Sequence, residues 1–460
     1  MFLKTKNKLN ILTNSSIIML AIVFACCLIF VHKVYASAIT TMPFQGPGEM
    51  VVPQIDDPYG IINNPDFDDQ DLVKSHKGED PEALDRRKFI LGGNDPDIIN
   101  IALESGGNNT RLIELMKKAK NGGEYTIACF GGSITYGALL GHEHERFGEL
   151  VLAWFKENFP RANFKYINSG LGASNTEMGC YRIQRDLLMY KPDFVIVDFA
   201  VNLSNVKDVY GTYSTILYKI LNSEKKPAVC AINFTYAYKN EYGYTPAPDV
   251  VDPGVLRAQQ YFDIPTINYH KYVWLKIMSG DITWPDFNAD YIHPNRFGHN
   301  IAGSLLKAYL QCLLPKDLNE IPPIPEKNYE WFLTSKEFIN VGYITNEDES
   351  VTFNENIKAS SNIDCYHRGW EYKEGGEGEL IFNAPKQKRV GIEILFTSNA
   401  KGYLQFDSLD AGGSSQVHGE ASDVLKLYYI NLKGEKFKLT THLDEGSFKI
   451  FGICVNYGEQ

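Results

Sequence analysis

Between residues 108 and 316, apolar runs that read as strands alternate with segments whose apolar residues recur at helical spacing. This alternation limits the fold more than any other feature of the chain. The strand-like runs are Tyr125 to Phe130, Phe164 to Ile167, Phe194 to Phe199, Ala228 to Phe234 and Thr266 to Tyr269. Between them, Leu112, Ile113, Leu115, Met116 and Ala119 mark one helix, and Phe147, Leu150, Val151, Trp154 and Phe155 another. Further helices are expected over 177–190, near 210–222 and near 254–262, with a last one carrying Ile301, Leu305, Ala308 and Cys312. Strand–helix alternation predicts right-handed βαβ units and a parallel sheet buried on both faces. Chemistry in such sheets sits at the carboxyl ends of the strands.

Pro315, Pro322, Pro323 and Pro325 then punctuate a linker. Over 326–460 the runs are short and separated by Gly, Asn, Asp and Ser: 392–396, 403–406, 425–430, 437–440 and 448–453. No helical pattern intervenes, so an all-β sandwich domain is expected there. Upstream, residues 39–107 are rich in Pro, Asp, Asn and Gly and read as an extension. Its acidic stretch 66–71 lacks the glycine and glutamate offsets of a calcium loop.

The first 38 residues read as an export signal. Lys4, Lys6 and Lys8 precede the apolar run Ile17 to Val31, and Val34-Tyr35-Ala36 and Ala36-Ser37-Ala38 supply small residues for cleavage. The alternative is an uncleaved membrane anchor through residues 17–31. Either way the rest of the chain is expected outside the membrane, secreted or at the surface of a bacterial cell.

Lys and Arg total 45 against 56 Asp and Glu, a net charge of −11, with no dense basic block. Such a chain is repelled by phosphate backbones, so nucleic-acid partners are not expected. Aromatics make up 13% of the chain, which favours packed sheets and offers surfaces on which sugars stack. The cysteines form no C-x-x-C pair. Cys129 and Cys230 read as buried thiols, while a Cys365–Cys454 pair is left open by the oxidising setting of an exported domain.

Four polar blocks interrupt the apolar text. Gly131-Gly132-Ser133 follows the first strand, where a tight turn would set Ser133 at a helix N-terminus; the plain alternative is that Ser133 is only an N-cap. Asn168-Ser169-Gly170-Leu171-Gly172-Ala173-Ser174 follows the second strand, and Val201-Asn202 the third. Asp290-Tyr291-Ile292-His293 precedes the last helix. An Asp three residues before a His can orient one imidazole nitrogen and leave the other free as a base.

Together and in this order, the four blocks resemble the SGNH/GDSL hydrolase family, over about 200 residues. The resemblance implies an α/β fold, a flavodoxin-like three-layer sandwich whose five parallel strands match the number read above. It implies Ser133 as nucleophile, His293 as general base and Asp290 as its orienting partner. It also implies an oxyanion hole from the N–H of Ser133, a backbone N–H at Gly172 or Ala173, and the side-chain amide of Asn202, with no cofactor and no metal. Three positions depart from the family pattern. Gly132 stands where Asp is usual, Ala173 aligns with the second block's glycine, and Leu203 follows Asn202 in place of Asp. Ala173 is expected to keep its donor by adopting negative φ.

The expected activity is that of an exported serine esterase removing acyl groups, acetyl above all, from a carbohydrate or cell-wall polymer. The alternatives are a lipid acylhydrolase or thioesterase on the same triad, and an inactive surface carbohydrate-binding protein. Gly141-His142-Glu143-His144-Glu145 reads as a polar rim rather than a metal site, since H-E-x-x-H is not formed. His299 is expected to be structural, and Arg182 and Arg185 to be surface or helix-pairing charges, Arg182 within reach of an acidic substrate group. Tyr366 and Trp370 read as core, with sugar stacking as the alternative.

Overall fold

The computed structural model describes residues 101–240, 243–246, 251–314, 328–333, 335–360, 369–372, 375–419 and 425–458. The export signal with its run 17–31, most of the extension, the proline linker, Cys365 and Tyr366 lie outside the described residues.

Strands β1 (Leu103–Ser105), β2 (Gly123–Gly131), β3 (Ala162–Gly170), β4 (Phe194–Asp198), β5 (Ala228–Asn233) and β8 (Thr266–Asn268) form one sheet in the order β1-β8-β5-β4-β2-β3. A small hairpin, β6 (Ala237–Asn240) with β7 (Gly243–Pro246), branches off between β5 and β8. Five of the six strands in the main sheet run parallel. The sixth, β1, comes from the end of the extension and pairs antiparallel with β8, so the sheet holds one strand more than the sequence reading gave it.

Helices α1 (Thr110–Ala119), α2 (Ser133–Tyr136), α3 (Phe147–Asn158), α4 (Thr176–Asp186), α5 (Val209–Leu221), α6 (Pro253–Tyr261), α7 (Tyr269–Met278), α8 (Trp284–Phe287) and α9 (Arg296–Leu313) connect the strands. Successive strand residues enter different cores. Ile127, Cys129, Ile196 and Ile232 pack with Trp154 and Phe155 of α3 and Leu305 of α9. Ala128, Phe130, Val195, Val197 and Ala231 pack with Ile183 of α4, Ile216 of α5 and Val255 of α6. Burial on both faces explains why these strands are continuously apolar. Cys129 and Cys230 are buried free thiols.

Helix α7 is not visible in the sequence pattern because one residue serves two elements. Asn268 ends β8 and its side chain accepts the Lys271 N–H, so Tyr269 opens a helix instead of extending the strand.

The C-terminal strands are β9 (Val341–Ile344), β10 (Thr352–Phe353), β11 (Ile357–Ser360), β12 (Gly369–Tyr372), β13 (Glu379–Asn383), β14 (Arg389–Phe396), β15 (Lys401–Ser408), β16 (Ser414–His418), β17 (Lys426–Ile430), β18 (Lys436–Glu445) and β19 (Phe448–Asn456). They form two antiparallel sheets, β10-β13-β18-β15-β16 and β11-β12-β19-β14-β17, with β9 on β19. Side chains from both sheets share one apolar core, Leu380, Phe406 and Leu439 meeting Trp370, Ile392 and Ile450. Trp370 is therefore a core residue. Cys454 is a buried free thiol.

Candidate functional site

The register of the main sheet brings three loops together. Gly131, Gly170 and Asp198, the last residues of β2, β3 and β4, stand side by side, with β2 in the middle. Ser133, Ala173 and Asn202 lie just beyond these ends. Two glycines permit the crowding. A side chain at Gly131 would come within 2.3 Å of the Thr135 hydroxyl, and one at Gly170 within 2.1 Å of the Tyr136 nitrogen. Helix α2 can therefore sit directly on the sheet edge only if both positions lack a Cβ.

Ser133 is the first residue of α2, and Gly132 occupies the N-cap position. The reading of Ser133 as a mere N-cap is thus corrected: its hydroxyl is free of capping and turns to His293. The Ser133 Oγ lies 2.9 Å from His293 Nε2, and His293 Nδ1 lies 2.7 Å from Asp290 Oδ2. Asp290 Oδ1 accepts the backbone N–H groups of His293 at 2.6 Å and Ile292 at 2.8 Å. Burial pulls the Asp290 carboxyl up, but these N–H groups and the imidazole outweigh it and hold the carboxyl below its ordinary range. An ionised carboxylate only accepts hydrogen bonds. It therefore fixes the neutral His293 ring with the proton on Nδ1 and a lone pair on Nε2 facing the serine.

The loop that carries this pair is itself braced. The Trp284 indole N–H donates to the Asp290 carbonyl at 2.7 Å, and the Ala289 N–H to the His293 carbonyl at 2.8 Å.

Asn202, which also lines the cleft, contributes a different kind of group. Its side-chain Nδ2 is buried and has no hydrogen-bond partner among the described residues. Its backbone adopts φ of 65°, a left-handed conformation that asparagine tolerates better than most residues. Ala173 has φ of 58°, which corrects the expectation of negative φ. The position is a glycine-type turn filled by alanine, and the chain accepts the strain of a Cβ there. Gly172, Ala173 and Asn202 border the same open cleft as Ser133 and His293, with a volume of about 360 Å³.

Arg182 was expected at the surface, pairing helices or reaching for substrate; the structure buries it completely. Its guanidinium donates to the Gly131 carbonyl at 2.7 Å, the Ser169 carbonyl at 3.0 Å and the Ser174 hydroxyl at 3.1 Å, and pairs with Asp186. It ties the ends of β2 and β3 to the turn that holds Ala173, so it positions the site and cannot meet a substrate. Arg185 is not a surface charge either. It also pairs with Asp186 and lies 4.3 Å over the Tyr343 ring, with the Phe451 carbonyl 3.5 Å from its Nη1.

His299 accepts the Phe147 N–H on Nδ1 at 3.3 Å. Burial, reinforced by Arg146 and His293, drives its pKa down to about 3, which keeps it neutral and structural. In the His142–Glu145 segment, Glu145 pairs with Arg296 and the two imidazoles stack 5.3 Å apart. No cluster of metal-ligating side chains is found among the described residues. Asp198, buried below the serine turn, accepts the Thr135 hydroxyl at 2.8 Å, and desolvation pushes its carboxyl up to about 7.

One wall of the cleft was not legible in the sequence. Leu395 of β14, Leu425 and Phe451 of β19 border it, and Leu425 and Phe451 pack against Leu171 and Met178. The C-terminal strands thus complete the cleft that the main sheet opens.

No family model matches the chain, and no curated protein matches it. Among solved structures, it is similar to a two-domain esterase, CEX, active on acetylated mannans. The identity is 24%, the match covers 78% of this chain and 98% of that one, and the TM-score is 0.62. The same esterase co-crystallised with mannopentaose matches at 22% identity over 78% and 98%, with a TM-score of 0.61. At these identities the likeness concerns the fold, including the succession of a parallel-rich α/β part and C-terminal antiparallel sheets.

Proposed function

We propose that this protein is a serine esterase of the SGNH/GDSL type that removes acetyl or similarly small acyl groups from a carbohydrate polymer. The observation that carries the reading is the hydrogen-bond chain from Asp290 through His293 to Ser133, ending in a cleft that is also lined by Asn202, whose buried amide nitrogen has no partner among the described residues. The parallel-strand order β3-β2-β4-β5-β8, with helices on both faces, supports the flavodoxin-like sandwich that goes with this type. The C-terminal strands are read as an accessory β-sandwich, and residues 1–38 as the signal or anchor that exports the enzyme.

In this reading Ser133 Oγ attacks the ester carbonyl while His293 Nε2 takes its proton and Asp290 stabilises the resulting imidazolium. The tetrahedral oxyanion receives the Ser133 N–H, a backbone N–H at Gly172 or Ala173, and the Asn202 amide. Collapse expels the sugar hydroxyl, which recovers the proton from His293. Water then enters by the same route in reverse, releases the carboxylic acid and frees the serine.

The carbohydrate part rests on the shared fold of an esterase active on acetylated mannans and on the C-terminal strands that border the cleft. The test compares wild type with Ser133→Ala on p-nitrophenyl acetate and on acetylated mannan. The wild type should release acetate from both, and the variant should lose roughly 10⁴- to 10⁶-fold in kcat. Equal rates for the two proteins would reject the serine mechanism. The apolar wall of Leu171, Leu395, Leu425 and Phe451 is the one feature that favours a longer acyl chain. Faster turnover of p-nitrophenyl octanoate than of acetate would move the assignment to lipid esters.

A further inference from the structure

Three tyrosines outside the proposed triad lie on or beside the loop that carries His293. Tyr291 sits between Asp290 and His293, borders the cleft and is 53% exposed. Its carbonyl accepts the Ala237 N–H at 2.8 Å, which fastens hairpin β6–β7 to the loop that carries His293. Ala237 itself is buried in the core. Tyr236 and Tyr238 flank it, Tyr236 partly buried against the same core: their rings lie 5.7 Å apart at 87° and their hydroxyls 3.5 Å apart. Tyr238 is 59% exposed. Two large exposed rings, Tyr291 bordering the cleft and Tyr238 next to its backbone partner, need a reason beyond packing.

We infer that Tyr291, Tyr238 and Tyr236 form a sugar-stacking strip that holds the glycan residues flanking the scissile ester. This rests on the esterase reading above, because that reading fixes where the substrate's ester must lie. The occupant is chosen by chemistry. A pyranose ring presents axial C–H groups to an aromatic face and hydroxyls at its edge, and tyrosine offers both a face and a hydroxyl at low conformational cost. The net charge of −11 disfavours a polyanionic glycan and points to a neutral one. Tyr291 borders the cleft and its backbone is bonded to the residue beside Tyr238, so the inferred strip leads away from Ser133 along that loop.

The test is calorimetric titration of acetylated gluco- and manno-oligosaccharides into full-length Ser133→Ala, with and without a second change at Tyr238. Tyr238→Ala should weaken binding roughly five- to tenfold, the loss of one stacked ring, whereas Tyr238→Phe should stay within about twofold. Unchanged affinity in Tyr238→Ala, with an unchanged melting temperature, would overturn the strip. So would a parent that binds no glycan, or one that binds only octanoyl-ester micelles. The two readings fail separately. Glycan binding that depends on Tyr238, in a protein whose wild type hydrolyses no ester, keeps the strip and rejects the reaction. Glycan hydrolysis with no dependence of binding on Tyr238 does the opposite.

Discussion

The two sides of the cleft differ in how far the groups nearest Ser133 are already paired. On the His293 side every step is closed: Asp290 takes the imidazole and two backbone N–H groups, and the imidazole takes the serine. On the Asn202 side a buried amide nitrogen has no partner among the described residues, and Ala173 and Asn202 both have positive φ. An unpaired buried donor costs about 1–3 kcal/mol, and a left-handed alanine about 1–2 kcal/mol. Costs of this kind persist where a ligand completes the bonding. In the proposed reading, the difference means that one side holds its chemistry ready-made in the free protein, while the other waits for an oxygen that arrives with the substrate.

The most severe way to break the comparison acts on the closed side. Asp290→Asn should lower kcat for p-nitrophenyl acetate by roughly 10⁴, because an amide can turn its N–H to Nδ1 and leave the proton on Nε2, facing the serine. A loss under about tenfold would mean that this side does not carry the chemistry. The open side is probed by Asn202→Gly, which removes the amide and suits the left-handed backbone. Here kcat should fall roughly 10²- to 10³-fold, the usual cost of one oxyanion donor, with KM nearly unchanged. The melting temperature should hold or rise, since an unpaired buried group disappears. A protein that loses stability but keeps its rate would reverse the assignment of the amide from ligand donor to structural group.

The closed side was also the more legible one in the sequence. Asp290 and His293 are three residues apart, and Ser133 follows an apolar run that ends in two glycines, so each role can be read from local text. The strand-end blocks stand out for the same reason: small and polar residues interrupt runs that two-sided burial keeps apolar. What supports them is non-local. Arg182 reaches the Gly131 carbonyl across 51 residues of chain, and nothing around it in the sequence distinguishes a brace from a surface charge. Leu425 and Phe451 border a cleft opened by residues far upstream, and only the packing of Leu171 and Met178 against them reveals it. The C-terminal strands missed in the sequence include β10, of two residues, and β9, β11 and β12, of four each, too short for alternation to register. Backbone torsion left no trace either, since an alanine at 173 gives no sign that it stands in a turn suited to glycine.

That torsion gives the finest probe of the open side. Ala173→Gly removes a Cβ from a residue at φ 58° and relieves the left-handed strain, while glycine's extra freedom in the unfolded chain takes back about 0.4–1 kcal/mol. The net gain should be roughly 0.5–1 kcal/mol, a rise in melting temperature on the order of 1–3 °C by calorimetry. The backbone N–H keeps its place, so kcat should stay within about twofold. Such a result would separate the two kinds of cost on this side: the strain at 173 would be a consequence of the residue chosen, whereas the unpaired amide at 202 is the one the proposed reaction uses. A tenfold fall in kcat would instead assign the alanine methyl, which borders the cleft, a part in seating the acyl group.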